Sequence, residues 1–326
     1  MSVDKVHLSV AEAREISERA LQRAGFAADE ARIVTEHMID AALCGYEYSG
    51  LAKILNVIEA PRFKQPRQPI SVLRETDVST LYDGGNNVGM LALYQATQGA
   101  IEKARNRGIA LIGITNTWMS GRSAHFVEMI AKADLVGIHT VSCSRLVAPL
   151  GGIKPILGTN PIAFGLPSAE GPIVFDMGTS AFMMTEVMLR ERMGESLPEG
   201  VALDGDGQPT TDAKAARQGA LLPFGGYKGF GLAFVMQALG LLAGSALDLE
   251  GDNGYLFIAF KPDLLVPLEQ FKRELSELVV RVKAVPRQQG VKEIRIPSER
   301  AFRSRERALR EGIEVDRAVL AALRAA

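Results

Sequence analysis

Lys228 lies in the run Leu222-Pro-Phe-Gly-Gly-Tyr-Lys-Gly-Phe-Gly-Leu232, among four glycines and directly before a long apolar stretch. Glycine lets backbone approach a ligand closely. A helix starting at about Phe230 would aim its free N–H groups and positive dipole end at whatever Lys228 faces. That chemistry suits an anion, a phosphate or a carboxylate. A plain turn and a Schiff-base lysine both remain open on these residues alone. The spacing is not the Walker pattern, because no Gly-Lys is followed by Ser or Thr, and it is not G-x-G-x-x-G after a strand.

A second group of residues could do related chemistry. Asp176 follows the apolar run Pro172-Ile-Val-Phe175 and can accept ribose or amide hydrogen bonds. Gly178 and Thr179 are expected to open a helix continuing through Met188, whose N-terminus would be another anion site. A helix-start carboxylate without a ligand is the plainer reading of Asp176. Arg122, near the start of a further helix, is either a ligand for a substrate carboxylate or a surface charge. His125 reads as a helix-face or interface residue, with a substituted acid as the alternative. Trp118 could wall a pocket or belong to the core, and both readings stay open.

Composition narrows the classes. Hydrophobic residues make up 47% and charged residues 23%, as in an ordinary globular protein. Lys+Arg at 37 nearly balances Asp+Glu at 38, so no net field argues for nucleic acid or an anionic membrane as partner. The two cysteines, Cys44 and Cys143, and the four histidines have no metal-ligand spacing, so no metal site is expected. Two isolated thiols fit a reducing compartment, and the opening Met1-Ser-Val-Asp-Lys-Val-His7 carries no apolar signal region. A cytoplasmic location is therefore expected. Gly229 to Leu247 is uncharged and long enough for a membrane span, but its glycines, Gln237 and the lack of a flanking basic cluster favour a buried core helix.

The elements that must position these residues fall into three stretches. Residues 1–69 read as helical: Ser9-Val-Ala-Glu12 is a capping box, a second helix runs from about Ala28 to Cys44, and a third from Gly50 to Ala60. Residues 70–266 alternate short β-rich segments, such as Ala110–Ile114, Gly137–Val141 and Tyr255–Phe260, with helices at Met90–Arg107, Ser123–Ala133 and Ala181–Arg192. This texture is that of an α/β domain. Residues 267–326 return to helix, apart from a short strand at Glu293–Ile296, and are expected to pack back on the N-terminal part. The charge-rich stretch Glu299–Glu311 reads as a solvated helix face.

The lysine motif does not stand alone. Together with Val147-Ala-Pro-Leu-Gly-Gly152, Leu157-Gly-Thr-Asn-Pro-Ile-Ala-Phe164, Phe175-Asp-Met-Gly-Thr-Ser180 and Glu195-Ser-Leu-Pro-Glu-Gly-Val-Ala-Leu-Asp-Gly-Asp-Gly207, in this order, it resembles the malate/L-lactate dehydrogenase family. That family is distinct from the Rossmann-fold lactate dehydrogenases, and the resemblance covers nearly the whole chain. It implies an α/β (α+β) protein with a non-Rossmann mixed-sheet cofactor domain and a helical domain from the two chain ends. It also implies a cytoplasmic homodimer that transfers hydride from NAD(P)H to a small 2-oxo acid or cyclic imino acid. The implied cofactor contacts are Phe175, Asp176, Met177, Gly178, Thr179, Lys228, Gly229, Pro297, Ser298 and Glu299. Thr159, Asn160 and Arg122 are expected on the substrate, a small carboxylate.

The chain departs from the family where the proton is delivered. The family's Ser-His-Gly-x-x-Arg motif falls on Tyr48-Ser49-Gly50-Leu51-Ala52-Lys53, so its histidine is Ser49 and its arginine Lys53. A second family histidine falls on Met119. A positioned acid is worth about 10²–10⁴ in rate, and serine cannot supply it unaided. Tyr48 could, if a cation such as Lys53 lowers its pKa. Lysine keeps the carboxylate-binding charge of arginine but loses its bidentate geometry. Tyr48, Ser49 and Lys53 are accordingly the expected catalytic residues, and the departures favour an imine or an unusual oxo acid over malate. The alternative is an altered homologue that keeps the dinucleotide cleft as a binding module.

Overall fold

The computed structural model describes residues 5–246 and 253–326. In chain order its elements are β1 (Lys5–Leu8), α1 (Val10–Arg23), α2 (Ala28–Leu43), α3 (Ala52–Glu59), β2 (Ser71–Glu75), β3 (Ser79–Val88), α4 (Gly89–Arg107), β4 (Ile109–Trp118), α5 (Ser123–Lys132) and β5 (Val136–Ser142). There follow β6 (Ile162–Leu166), β7 (Ile173–Met177), α6 (Met184–Met193), β8 (Ala202–Leu203), α7 (Ala213–Ala216), β9 (Ala220–Leu221), α8 (Tyr227–Leu242), β10 (Gly254–Phe260), α9 (Leu268–Ala284), α10 (Glu299–Glu311), β11 (Ile313–Asp316) and α11 (Arg317–Ala325).

The capping box forms: Ser9 Oγ accepts from the Glu12 N–H at 3.2 Å, and the Glu12 carboxylate accepts from the Ser9 N–H at 2.8 Å. Behind it, Leu21 of α1, Val34 and Met38 of α2, and Ile54 and Val57 of α3 close on Ile313, Val315, Leu320 and Leu323 in one apolar core. The chain ends meet directly, because β1 and β11 pair antiparallel from Lys5↔Asp316 to Leu8↔Ile313.

The larger layer is a mixed seven-stranded sheet in the order β2-β3-β4-β10-β5-β6-β7. β3 and β4 run parallel, joined by α4 as crossover, and the other neighbours are antiparallel. This is an α+β sheet and not the Rossmann order, as the family resemblance implied. Ala92, Leu93 and Ala96 of α4 bury against Ile112, Ile114, Phe126, Tyr255 and Phe257 on one face. Trp118 is core, its Nε1 donating to the Asn86 carbonyl at 3.1 Å.

Several local expectations need correction. Glu293–Ile296 forms no strand. α9 is tied to the sheet layer by Lys272–Asp134 and by the Ala169 N–H on Ser276, so this part of 267–326 does not pack on the N-terminal helices. α10 is not only a solvated face, because Arg305 turns inward to Asp40 and Glu128. The expected core helix after Lys228 buries only Gly229, Ala233, Met236 and Gly240, and leaves Tyr227 70%, Phe234 61% and Leu242 71% exposed. No helix among the described residues is long and apolar enough to cross a membrane. Leu247, at the end of that run, and residues 1–4 of the opening segment lie outside the described residues.

Candidate active site

α5 enters from a glycine turn. Gly121 has φ +76°, and a Cβ there would stand 2.1 Å from His37 Nε2, so only glycine lets this turn run against the α2 imidazole. The next residue, Arg122, donates its N–H to His37 Nε2 at 2.9 Å. That bond fixes the tautomer: the ring proton sits on Nδ1, which is buried without a partner. Burial first, then the charge of His125, pushes the His37 pKa well below its ordinary value. His37 is a neutral, locked imidazole.

The Arg122 guanidinium donates to Asp40 Oδ2 at 2.7 Å and lies 4.8 Å over the Tyr46 ring. Arg305, from α10, donates to Asp40 Oδ1 at 3.0 Å and to Glu128 at 3.1 Å. His125 places Nδ1 3.4 Å from Asp40 Oδ2, with its ring centre 4.6 Å from that of His37. Burial alone would push the Asp40 carboxyl up. The His125 hydrogen bond and the charges of Arg122, His125 and Arg305 outweigh it and hold Asp40 well below the usual carboxylate range. Arg122 is therefore not a surface charge, and a substrate carboxylate approaching it would meet a guanidinium already paired with Asp40.

Asp176 stands on the other side of the same turn. It is the fourth residue of β7, and its Oδ2 accepts from the Ala124 N–H at 2.9 Å, capping α5. Burial raises its pKa, against the Ala124 bond and the Arg122 charge. Gly178 and Thr179 do not open a helix, because α6 starts only at Met184. Thr179 instead donates its N–H and its Oγ1 to the Thr159 carbonyl, at 2.8 and 3.1 Å. The expected second helix-terminal anion site is thus missing. Phe175 is partly exposed and stacks on Phe164 at 6.4 Å, and Met177 is half-buried.

The lysine motif adjoins this segment. The Phe224 N–H donates to the Thr179 carbonyl at 3.1 Å, and the buried Gly229 donates back to Phe224 at 3.0 Å. α8 begins at Tyr227, three residues earlier than expected, so exposed Lys228 sits in its first turn. Asn160 is fully buried and fully bonded, accepting from the Cys143 N–H at 2.9 Å and donating to the Ala233 carbonyl and Gln237 at 2.9 and 3.0 Å. These bonds latch the segment onto α8, while Thr159 is half-buried beside it.

No hydrogen bond or ion pair joins the 297–299 segment to Lys228 among the described residues. Pro297 is exposed, and Ser298, at φ +60°, turns the chain into α10. Glu299 accepts from the Ile296 N–H at 3.0 Å and pairs with Lys283 and Arg303. One turn on, Phe302 packs against the small cluster of Ala124 and Val127 from α5 with Ala163 and Val174 from the sheet.

Of the remaining expected residues, Tyr48 and Lys53, but not Ser49, line a cavity of about 370 Å³ between the helical core and α6, walled also by Leu51, Met188 and Arg192. Tyr48 and half-buried Ser49 lie in a short 3-10 turn, Glu47–Ser49, ahead of α3. Lys53 is largely buried, has no carboxylate partner among the described residues, and has its pKa lowered by burial. The Tyr48 phenol is not activated as expected. Burial and Glu47 raise its pKa, Arg192 and Lys5 oppose them only weakly, and Lys53 plays no part.

His37, Asp40, Glu128 and Arg305 were not among the residues singled out in the sequence. His37-x-x-Asp40 and Arg122-x-x-His125 each set two titratable groups on one helix face, and that spacing was the available signal.

A mixed sheet with one parallel pair, a helical layer made from both chain ends and a lysine-bearing helix start beside β7 define a non-Rossmann oxidoreductase architecture. The malate/L-lactate dehydrogenase family model matches residues 8–324, and the chain belongs to that family of NAD(P)H-linked 2-oxo acid and imino acid reductases. It is 32% identical over 333 residues to a malate/(S)-sulfolactate dehydrogenase of Methanothermus fervidus, covering 97% of this chain and 96% of the relative. It is 33% identical over 334 residues to a Delta(1)-pyrroline-2-carboxylate/Delta(1)-piperideine-2-carboxylate reductase of Pseudomonas aeruginosa, with 96% and 97% covered. Among solved structures, a dehydrogenase from Sinorhizobium meliloti superposes with TM-score 0.90 at 28% identity, over 99% of each chain. The delta1-piperideine-2-carboxylate reductase of Pseudomonas syringae superposes with TM-score 0.88 at 29% identity, over 98% and 99%. Family membership supports an NAD(P)-dependent oxidoreductase.

Proposed function

We propose that this chain reduces a small 2-oxo acid or cyclic imino acid with NAD(P)H, and that Lys53 anchors the substrate carboxylate. The observation that carries this reading is the largely buried Lys53 ammonium, without a carboxylate partner among the described residues, on the wall of the cavity it shares with Tyr48. Burying an unpaired charge is costly, and a substrate carboxylate is the group that would satisfy it. Malate, sulfolactate and the pyrroline and piperideine carboxylates in the relatives' names all present a carboxylate beside the reacting carbon. Lysine in place of arginine and the missing histidine at Ser49 weigh toward an imine or an unusual oxo acid.

The residues at the start of α8 fit a phosphate-bearing dinucleotide. Gly225 and Gly226 turn at φ +55° and +63° with open space around them, and they lead into the positive end of a long helix, where Lys228 is exposed. A bound reduced nicotinamide would supply the hydride. Lys228 would hold its phosphates, Gly229 would keep the turn closed by its N–H on the Phe224 carbonyl, and residues 175–179 would flank it through the neighbouring turn. Pro297 and Ser298 are proposed to reach it with backbone, since the Glu299 carboxylate is engaged by Lys283 and Arg303. The part-exposed Tyr48 hydroxyl and Ser49 are retained as groups that orient the substrate.

A homodimer belongs to the same proposal, supported by the uncovered outer face of α8, as does a cytoplasmic location, supported by the free thiols of Cys44 and Cys143. The reading without turnover, a dinucleotide-binding homologue, rests on Ser49 and Met119. Oxidation of NADH and NADPH with a panel of 2-oxo and cyclic imino acids tests the proposal. Turnover of a carboxylate substrate is expected, and dinucleotide binding with no turnover across the panel would favour the second reading.

A further inference from the structure

We infer that His125, oriented by Asp40, delivers the proton that Ser49 and Met119 cannot, an inference that rests on the reductase reading above. The four histidines separate by environment. His7 is exposed on β1, in the two-stranded ribbon of the chain ends. His37 uses its Nε2 lone pair on the Arg122 N–H and is sealed from solvent. His139 is fully buried, stacked 4.0 Å from Phe257, with Nδ1 donating to the Leu256 carbonyl. His125 alone combines a carboxylate partner with an exposed edge, 19% of its side chain being accessible.

Its position suits the task. On one side the charge of Lys53 bears on His37, whose ring lies against His125. On the other, the turn at Arg122 and Ala124 binds Asp176 at the end of β7. His125 therefore adjoins the turn that binds the proposed dinucleotide segment, and its neighbour His37 feels the charge of the proposed carboxylate anchor. The charged and titratable groups around it are Asp40 and His37 from α2, Arg122 from its own helix, Arg305 from α10 and, beyond Arg122, Asp176 from β7.

The proton balance is simple. Nδ1 faces the Asp40 carboxylate and so carries a proton, and the same carboxylate stabilises the imidazolium. As the carbonyl carbon of a 2-oxo acid accepts hydride from the reduced dinucleotide, the C=O π pair passes to oxygen, and oxygen takes the Nε2 proton. The imidazole is left neutral with Nδ1–H still on Asp40, and solvent returns the lost proton. For a cyclic imine the same Nε2 proton goes to the ring nitrogen before hydride arrives. Asp40 acts through His125 and is a positioning residue.

The test combines imidazole ¹⁵N spectra of the full chain, recorded across pH with and without oxamate as a non-reducible 2-oxo acid isostere, with steady-state rates of His125→Gln, Asp40→Asn and Tyr48→Phe. Oxamate is expected to move the His125 resonances and leave those of His139 in place. His125→Gln should lower kcat about 100-fold or more while fluorescence titration with NADH and NADPH is unchanged. Asp40→Asn should change the Nδ1 resonance of His125, because that nitrogen loses its carboxylate acceptor, a change a purely structural role would not make. His125 resonances indifferent to oxamate, or full kcat in His125→Gln, would overturn the inference, and a loss confined to Tyr48→Phe would assign the proton to the phenol. Failure to bind either dinucleotide would sink the reductase reading instead, and the oxamate response of His125 reads separately from it.

Discussion

Arg122 Nη1 lies 2.7 Å from Asp40 Oδ2, and this pair joins the start of α5, at the sheet, to the middle of α2 in the helical layer. Both side chains are nearly buried, and Arg305 closes the other carboxylate oxygen from α10. The pair is thus a structural joint as well as part of the polar cluster around His125.

Breaking that joint from the acidic side should be costly. Asp40→Ala leaves the Arg122 guanidinium without a carboxylate, and removal of one partner from a buried pair costs about 3–5 kcal/mol. Arg122→Met should cost less, because Asp40 keeps Arg305 and His125. Urea unfolding at neutral pH checks the order, and equal stability of Asp40→Ala and the parent chain would refute it.

What was legible in the sequence was what single segments encode. The Ser9–Glu12 capping box, the end of α2 at Cys44 and strand β10 are local patterns, and they form close to where periodicity placed them. The β1–β11 ribbon was not legible, because its partners come from opposite chain ends. The start of α6 was misplaced because Thr179 is engaged by Thr159 and Ser180 bonds the Phe182 carbonyl, so the chain turns before it coils. Lys228 could be found because its glycines are adjacent in sequence. The Asp40 cluster could not, because its members sit on α2, α5 and α10 and only packing brings them together.

Lys53 should show a trade of stability against binding. An ammonium buried without a carboxylate partner destabilises the fold, so Lys53→Met is expected to raise stability by roughly 0.5–2 kcal/mol, in the range of other single stabilising changes. The same change should raise KM for the carboxylate substrate about tenfold or more, with a smaller effect on kcat. Melting temperature and steady-state kinetics of the one variant decide it. A fall in stability with unchanged KM would remove Lys53 from the site.

Dinucleotide binding should depend on the first turn of α8. Lys228→Ala removes one charge-assisted contact to a phosphate, worth about 1.5–3 kcal/mol, and should weaken NADH or NADPH at least tenfold. Gly226→Val should weaken it further, because φ +63° strains a β-branched residue. Fluorescence titration reads both, and undiminished affinity in both variants would place the phosphates elsewhere.

The bare face of α8 predicts association. Tyr227, Phe234, Leu241 and Leu242 lie on one side of the helix and are exposed. A contiguous apolar surface of that kind marks a contact. Light scattering at micromolar protein is expected to give the mass of a dimer, and Phe234→Asp with Leu242→Asp to give that of a monomer. A parent chain that runs as a monomer would refute the contact.

Acid should destabilise the fold from near pH 6.5 downward, and His139 supplies a measurable share of this. Burial lowers its pKa to about 4, against the hydrogen bond to Leu256, whereas in the unfolded chain it titrates near ~6.5. Below that pH the unfolded chain binds a proton that the fold refuses, so stability falls by about 1.4 kcal/mol per pH unit until the folded pKa is reached, on the order of 3 kcal/mol in all. Above ~6.5 both states are neutral at this ring and the contribution is complete. His37, also held neutral by burial, acts in the same direction. Asp40 adds a separate loss at lower pH, since a depressed carboxyl stabilises above its unfolded pKa of ~3.9 and ceases to as pH falls toward the folded value. His139→Asn retains a side-chain donor for the Leu256 carbonyl and removes the titrating ring. Its stability, from urea midpoints at pH 7.5, 6.0 and 5.0, should therefore decline less steeply with acid than that of the parent chain, whatever the lost packing costs at neutral pH. Parallel slopes for the two chains would show that His139 is not refusing the proton.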